Sequence, residues 1–199
     1  MARTKNLNEE KIISNCMHMF WEKGINNFSY NSIVSYSGVS KPSLYRLVGN
    51  LDDVQSKSLI YYYDNILKHH RPRIENAKNF YSFMTNNLLN IEKQQFGKAN
   101  EKEGVCFFTQ SRILKHQLGK KTQKVIDTID KRFISSLKIL IKKSMNNKEL
   151  SKDTDIEELA LFSYNLVTHF IYSLLNASNK REISITRKYY NRFIKTYVN

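Results

Sequence analysis

The chain has 199 residues, 41% hydrophobic and 25% charged, with a formal net charge of +14. It is long enough for one substantial core, or for a small module followed by a larger one, and too apolar for a disordered chain. With 6 Gly and 2 Pro there is too little punctuation for a many-stranded fold, so the composition implies an all-α protein.

A first helix is expected from Asn8 as N-cap, through Glu9 and Glu10 in the first turn, to Lys23-Gly24 as the stop. Its apolar face is Ile12, Ile13, Cys16, Met17, Met19 and Phe20. Ser29 then caps a second helix, with Phe28 placed to pack back onto the first in the manner of a hydrophobic staple. Ile33 and Val34 give that helix its buried side, and Gly38 can take the positive φ that ends it. Ser40 is placed to cap a third helix, in which Leu44 buries while Lys41, Ser43, Tyr45 and Arg46 project. Two short helices across a glycine turn are the layout of a DNA-reading helix-turn-helix, and the four projecting side chains all donate hydrogen bonds near a helix N-terminus that favours phosphate.

Asn50 can cap a fourth helix with Asp53 at its third position, running through Leu51, Val54, Leu59, Ile60, Tyr63, Ile66 and Leu67 until His70-Arg71-Pro72 closes it. The expected organisation is a helix-turn-helix domain at 1–50, a linking helix at 51–71 and a helical bundle at 72–199, with the boundary near Arg71 to Asn76. Within the bundle, helices are expected at Phe80 to Gln95, Val105 to Leu118 and Lys121 to Asn146, with a polar loop at Gly97 to Gly104. The most regular segment follows a short polar linker. Ile156, Leu159, Ala160, Ser163, Leu166, Val167, Phe170, Ile171, Leu174 and Leu175 recur at three- and four-residue steps. A last helix is expected at about Ile185 to Tyr197.

The basic surplus is uneven: through Arg71 there are nine Lys/Arg against six Asp/Glu, and the remainder carries a net +11. Most of it thus lies outside the helix-turn-helix and reads as solvated basic faces rather than a second nucleic-acid surface. Cys16 and Cys106 show no CxxC or Cys/His spacing, so neither a disulfide framework nor a zinc site is indicated. The N-terminus lacks an apolar signal core and no apolar run approaches the roughly 20 residues of a membrane span. A cytoplasmic protein without metal or cofactor is expected. No glycine-rich phosphate loop, nucleophile elbow or catalytic carboxylate pair is found, so an enzyme is not expected.

From Glu9 to Leu67 the chain resembles the TetR family of bacterial transcriptional repressors. The likeness is carried by Phe20 and Gly24, Ser29 and Ile33, Gly38-Val39-Ser40, Leu44-Tyr45, and Gly49-Asn50. The resemblance implies a homodimer whose helix-turn-helix units each read half of a palindromic operator on double-stranded DNA, about 34–36 Å apart, and a C-terminal domain that binds a small-molecule effector and releases the DNA. It places Ser29 and Tyr45 against phosphate, Tyr30 among the DNA-binding residues, Lys41, Ser43 and Arg46 against base edges or phosphates, and Pro42 toward a thymine methyl. Arg3 and Lys5 would reach the adjacent backbone or minor groove. Two positions depart from the family pattern: Leu51 stands where a phosphate-contacting lysine is usual, and Val48 where Phe is common.

Beyond Leu67 the resemblance is loose, through Gly104-Val105-Cys106-Phe107-Phe108 and a late pair of helices that would form a dimer's four-helix bundle. Candidate effector-pocket residues are Tyr62, Phe80, Phe83, Phe107, Phe108, His116, Phe162 and His169, each of which also reads as ordinary core packing. The apolar breadth of the 156–175 helix predicts a dimer surface of Leu159, Ser163, Leu166, Phe170 and Leu174, joined by Tyr189 and Phe193 of the last helix. Cys106, near Lys102 and at a helix start, is a candidate redox sensor, against the alternative of a small buried hydrophobe. A basic interaction module with a vestigial helix-turn-helix is the competing reading, with Leu51 in its favour.

Overall fold

The computed structural model describes residues 8–97, 106–177 and 179–199. The expected arm at Arg3 and Lys5, the residues 98–105 with Lys102, Gly104 and Val105, and the side chain of Leu175 lie outside the described residues. Ten α-helices are described and no strand: α1 Glu9–Lys23, α2 Tyr30–Ser37, α3 Lys41–Val48, α4 Leu51–Tyr62, α5 His70–Glu75, α6 Phe80–Gly97, α7 Phe107–Ile113, α8 Lys120–Asn146, α9 Ile156–Asn176 and α10 Lys180–Lys195.

The helix starts follow from side-chain caps. The Asn8 side chain accepts from the Glu10 and Lys11 amides, Ser29 from the Ser32 amide, Asp155 from the Glu158 amide, and Asn50 forms a reciprocal capping box with Asp53. Gly38 ends α2 in the left-handed region at φ 64°.

Three boundaries differ from the sequence reading. The linking helix does not run to Pro72. It ends at Tyr62 and passes through a π-helical turn at Tyr63–Leu67, where the Lys68 amide donates to the Tyr63 carbonyl. Pro72 then sits in the first turn of α5, where its missing N–H costs nothing. The segment expected to be helical to Leu118 leaves the α-helix after Ile113 and continues as a 3₁₀ turn, Lys115–Gln117. The last helix begins five residues earlier than Ile185, because Asn179 caps it through the Glu182 amide and its opening turn is polar apart from Ile183.

Two apolar cores form, and they do not divide at the Arg71–Asn76 boundary. The first joins Met17, Phe20 and Trp21 of α1, Ile33, Leu44, Val48, and Val54, Leu59 and Tyr62 of α4 to Phe107, Phe108, Leu118, Ile126 and Ile129. The second joins Ile74, Phe80, Met84 and Leu88 to Leu137, Leu140 and Ile141 and to the inner faces of α9 and α10. Helix α8, 27 residues and therefore about 40 Å long, contributes its first half to one core and its second half to the other. Phe133 packs against both: it meets Tyr63 edge-on and stacks on Tyr164.

The start of α8 is held by α4. Asp52 accepts hydrogen bonds from the Lys121 amide (2.9 Å), the Thr122 amide (2.9 Å) and the Thr122 hydroxyl (2.6 Å), so a side chain 69 residues away supplies the cap that Gly119 lacks. Gly119 has no room for anything larger, since a Cβ there would overlap the Asp52 carboxylate. At the far end of α8, Glu149 accepts from the Phe80 and Tyr81 amides at 2.8 Å each and caps α6 in the same long-range way.

Burial would raise the Asp52 pKa, but the Thr122 hydroxyl and the Lys121 and Thr122 amides outweigh it and hold the carboxyl below its ordinary value of 3.8. A carboxyl held low in the folded state contributes stability that is complete above its unfolded pKa and is lost as pH falls through the folded one. The melting temperature is therefore expected to drop as pH falls below about 4. Asp52→Ala should cost about 1–2 kcal/mol at neutral pH and flatten that drop, and Gly119→Ala should also destabilise. Thermal melts across a pH series check this; an Asp52→Ala curve that overlays the native one would remove the joint's role.

Candidate nucleic-acid interface

From Ser29 to Val48 the sequence carries Lys41 and Arg46 and no acidic residue. Helices α2 and α3 anchor this segment through Ile33, Leu44 and Val48, all fully buried, and the Gly38 turn sets the angle between them. With that side fixed, the helical period turns Lys41, Pro42, Tyr45 and Arg46 outward, and all four are exposed; Ser43 is half-buried.

The exposed groups are partly preset. The Lys41 ammonium donates to Asn31 Oδ1 at 3.0 Å, which holds the lysine against the neighbouring helix; Asn31 was not among the residues expected from sequence. Arg46 lies within 3.4 Å of the Ser43 hydroxyl, a weak contact that leaves most of the guanidinium's donors available. Tyr45 is 57% exposed and its ring meets that of Tyr30 edge-on at 6.4 Å. Tyr36, also 57% exposed, adds an aromatic to the same segment that sequence reasoning did not single out.

Two expected roles change. Ser40 does not cap α3: its hydroxyl donates to the Ser43 hydroxyl at 2.9 Å, so the first-turn amides of α3 receive no side-chain cap. Tyr30, expected among the DNA-binding residues, does not present its hydroxyl outward: it is buried and has no hydrogen-bond partner among the described residues. Desolvation, with Tyr45 adding to it, raises the Tyr30 pKa; the ring is a prop for Tyr45. Ser29 is exposed at the head of α2, its oxygen accepting from the Ser32 amide at 3.2 Å. Leu51 is half-buried against the first core, so its apolar character is explained by packing.

The expected pocket residues do not converge. Tyr62, Phe107 and Phe108 belong to the first core, where Tyr62 meets both Trp21 and Phe107 edge-on. Phe80, Phe83 and Phe162 belong to the second core, His116 is exposed on the 3₁₀ turn, and His169 is exposed and hydrogen-bonds the Tyr190 hydroxyl through Nδ1. Cys106 is half-buried, and the Tyr62 hydroxyl donates to its Sγ at 3.5 Å. Cys16 is core as expected, and burial pushes its thiol up to about 11. Among the described residues no group of three or more His, Cys, Asp or Glu side chains is placed to hold a metal ion, and no helix is long and apolar enough to cross a membrane.

The dimer surface expected on α9 is corrected. Leu159, Ser163, Leu166, Phe170 and Leu174 are buried in this chain's own second core, against α6, α8 and α10. The periodicity identified the right face of the helix, but that face is covered from within. Among the described residues, the large apolar side chains left outside on the last two helices are Leu161, Tyr172, Ile185, Tyr189 (59% exposed) and Phe193.

No protein-family model matches the sequence, and no curated protein matches it in sequence. Solved structures match it in fold over nearly the whole chain. A TetR-family transcriptional regulator from Cytophaga hutchinsonii superposes with a TM-score of 0.76 at 16% identity, covering 98% of each chain. The reduced form of NemR from E. coli gives a TM-score of 0.73 at 12% identity over 96% of each chain. A cysteine mutant of the TetR-family regulator CifR, complexed with 26-bp double-strand operator DNA, gives a TM-score of 0.72 at 15% identity over 96% of this chain and 98% of that one. The chain thus has the all-helical fold of these regulators.

The buried Tyr30 hydroxyl gives a direct check on this interface. Removing an unpartnered buried donor should leave stability unchanged or raise it, by up to about 1 kcal/mol, so Tyr30→Phe is expected to melt at or above the native temperature while Tyr30→Ala, which removes the prop, melts below it. A Tyr30→Phe protein that melts clearly lower would mean the hydroxyl is paired.

Proposed function

We propose that this chain is a TetR-family transcriptional regulator that binds double-stranded DNA through α3 and acts as a repressor. The observation that carries the reading is the outer face of α3: Lys41, Pro42, Tyr45 and Arg46 are exposed on a segment free of carboxylates, while Ile33, Leu44 and Val48 lock its inner face. A rigid, short helix presenting donors and one apolar ring suits a major groove, where base edges and phosphates offer acceptors and thymine offers a methyl. The fold shared with a regulator complexed with operator DNA supports the same reading.

The regulator works as a homodimer on a palindromic operator. Support comes from the apolar surface of α9 and α10, where the rings of Tyr172, His169, Tyr190 and Tyr189 follow one another at 6.1–6.5 Å and leave Tyr172 and Tyr189 exposed. A small-molecule effector binds the helical body and releases the DNA. The Asp52 joint, which ties the start of α8 to the helix that follows α3, supports a coupling of the body to the DNA-binding face. The packing of Leu51 into the first core removes the feature that favoured a vestigial helix-turn-helix.

Arg46→Ala and Lys41→Ala are expected to weaken operator binding by about 1–3 kcal/mol at particular base positions, and Tyr45→Ala to weaken it on all sequences alike. Fluorescence anisotropy with an operator and its point variants measures both. Unchanged affinity for Tyr45→Ala and Arg46→Ala together would overturn the assignment of α3.

A further inference from the structure

The DNA-facing surface does not end with α2 and α3. Helix α3 stops at Val48, Gly49 and Asn50 make the turn, and α4 starts at Leu51. Onto that start the first turn of α8 is clamped, with the Lys121 amide 2.9 Å from Asp52 Oδ2. The Lys121 side chain then reaches back over the junction: its ammonium donates to Asp53 Oδ1 at 2.5 Å, while Asp53 Oδ2 accepts from the Asn50 amide at 3.0 Å. A residue more than seventy positions along the chain is thereby placed at the foot of the reading helix.

Its surroundings favour an anion. The Lys121 side chain is 62% exposed, and Lys120 and Lys124 beside it are exposed as well. Asp52 accepts from two amides and a hydroxyl at the start of α8, and Asp53 is the carboxylate that the Lys121 ammonium reaches. One hydrogen bond to Asp53 uses a single donor of an ammonium that has three. An exposed pair of this kind is weak, so exchanging or sharing it with a phosphate, which also releases a condensed counterion, costs little.

We infer that Lys121 is a phosphate contact, by which the helical body grips the DNA backbone flanking the bases read by α3. This rests on the DNA-binding reading and extends it to a helix outside the helix-turn-helix. The contact carries no sequence information. It adds a fixed, salt-sensitive increment at the α3–α4 junction, and it ties grip on the backbone to the Asp52 joint between α4 and α8.

The test uses the full-length chain and a mixed-sequence duplex of about three helical turns, titrated at several salt concentrations. Lys121→Gln should lower the slope of log affinity against log salt by about 0.9 per chain and weaken binding to every sequence alike, while Lys121→Arg retains the native slope. Lys142→Gln, an exposed lysine at the far end of α8, should leave the slope unchanged. In an Asp53→Asn background the Lys121→Gln loss should persist, which separates loss of the cation from uncovering of Asp53. A native slope in folded Lys121→Gln, or a loss that vanishes when Asp53 is neutral, overturns the assignment while leaving DNA binding intact. If the native chain shows no salt-dependent binding to any duplex, the DNA-binding reading fails first.

Discussion

The structure turns on one carboxylate. Asp52 lies one residue inside α4, close behind α3, and its oxygens take up the amides and hydroxyl at the start of α8. Helix ends buried without partners are costly, and Gly119 cannot supply a side-chain cap of its own. The cap must therefore come from across the fold, and the glycine is what allows it to come so close. This fixes the first turn of α8 to the first turn of α4, and with it the orientation of the body relative to α3.

Everything downstream hangs from α8. Its first half closes the core that α1 to α4 begin, its second half seeds the core that α6, α9 and α10 complete, and Phe133 sits where the two meet. A helix–helix joint of this kind makes the short N-terminal helices part of a larger packed unit. A shift of α8 would thus be felt at α4 and at the foot of α3. The π-helical turn at Tyr63–Leu67, between the joint and α5, keeps the linking segment hydrogen-bonded through the Lys68 amide and the Tyr63 carbonyl.

Local chemistry was legible in the sequence. Asn8, Ser29 and the Asn50/Asp53 box announce helix starts because a short polar side chain there answers orphan amides two or three residues on, and Gly38 announces the turn because a positive φ is cheap only for glycine. Ser40 obeys the same rule on paper, yet its hydroxyl finds Ser43 instead. Long-range choices were not legible. The stripe from Leu159 to Leu174 has the period of a buried face, but period does not say whether this chain or a second copy buries it. The burial of the Tyr30 hydroxyl beneath Tyr45, and the partnership of Asp52 with Thr122 across 70 residues, leave no local pattern to find. The aromatic candidates for a pocket failed to converge for the same reason: residue type marks apolar surface without marking which core it joins.

The central claim is that this fold, with α3 outward and α9 and α10 bearing the apolar face, reads a two-fold DNA site. The most direct measurement is selection of bound duplexes from a random pool by the full-length chain. The account predicts enrichment of an imperfect palindrome whose half-sites lie about 34–36 Å apart, or a multiple of that spacing. Recovery of no shared sequence by folded protein would contradict it.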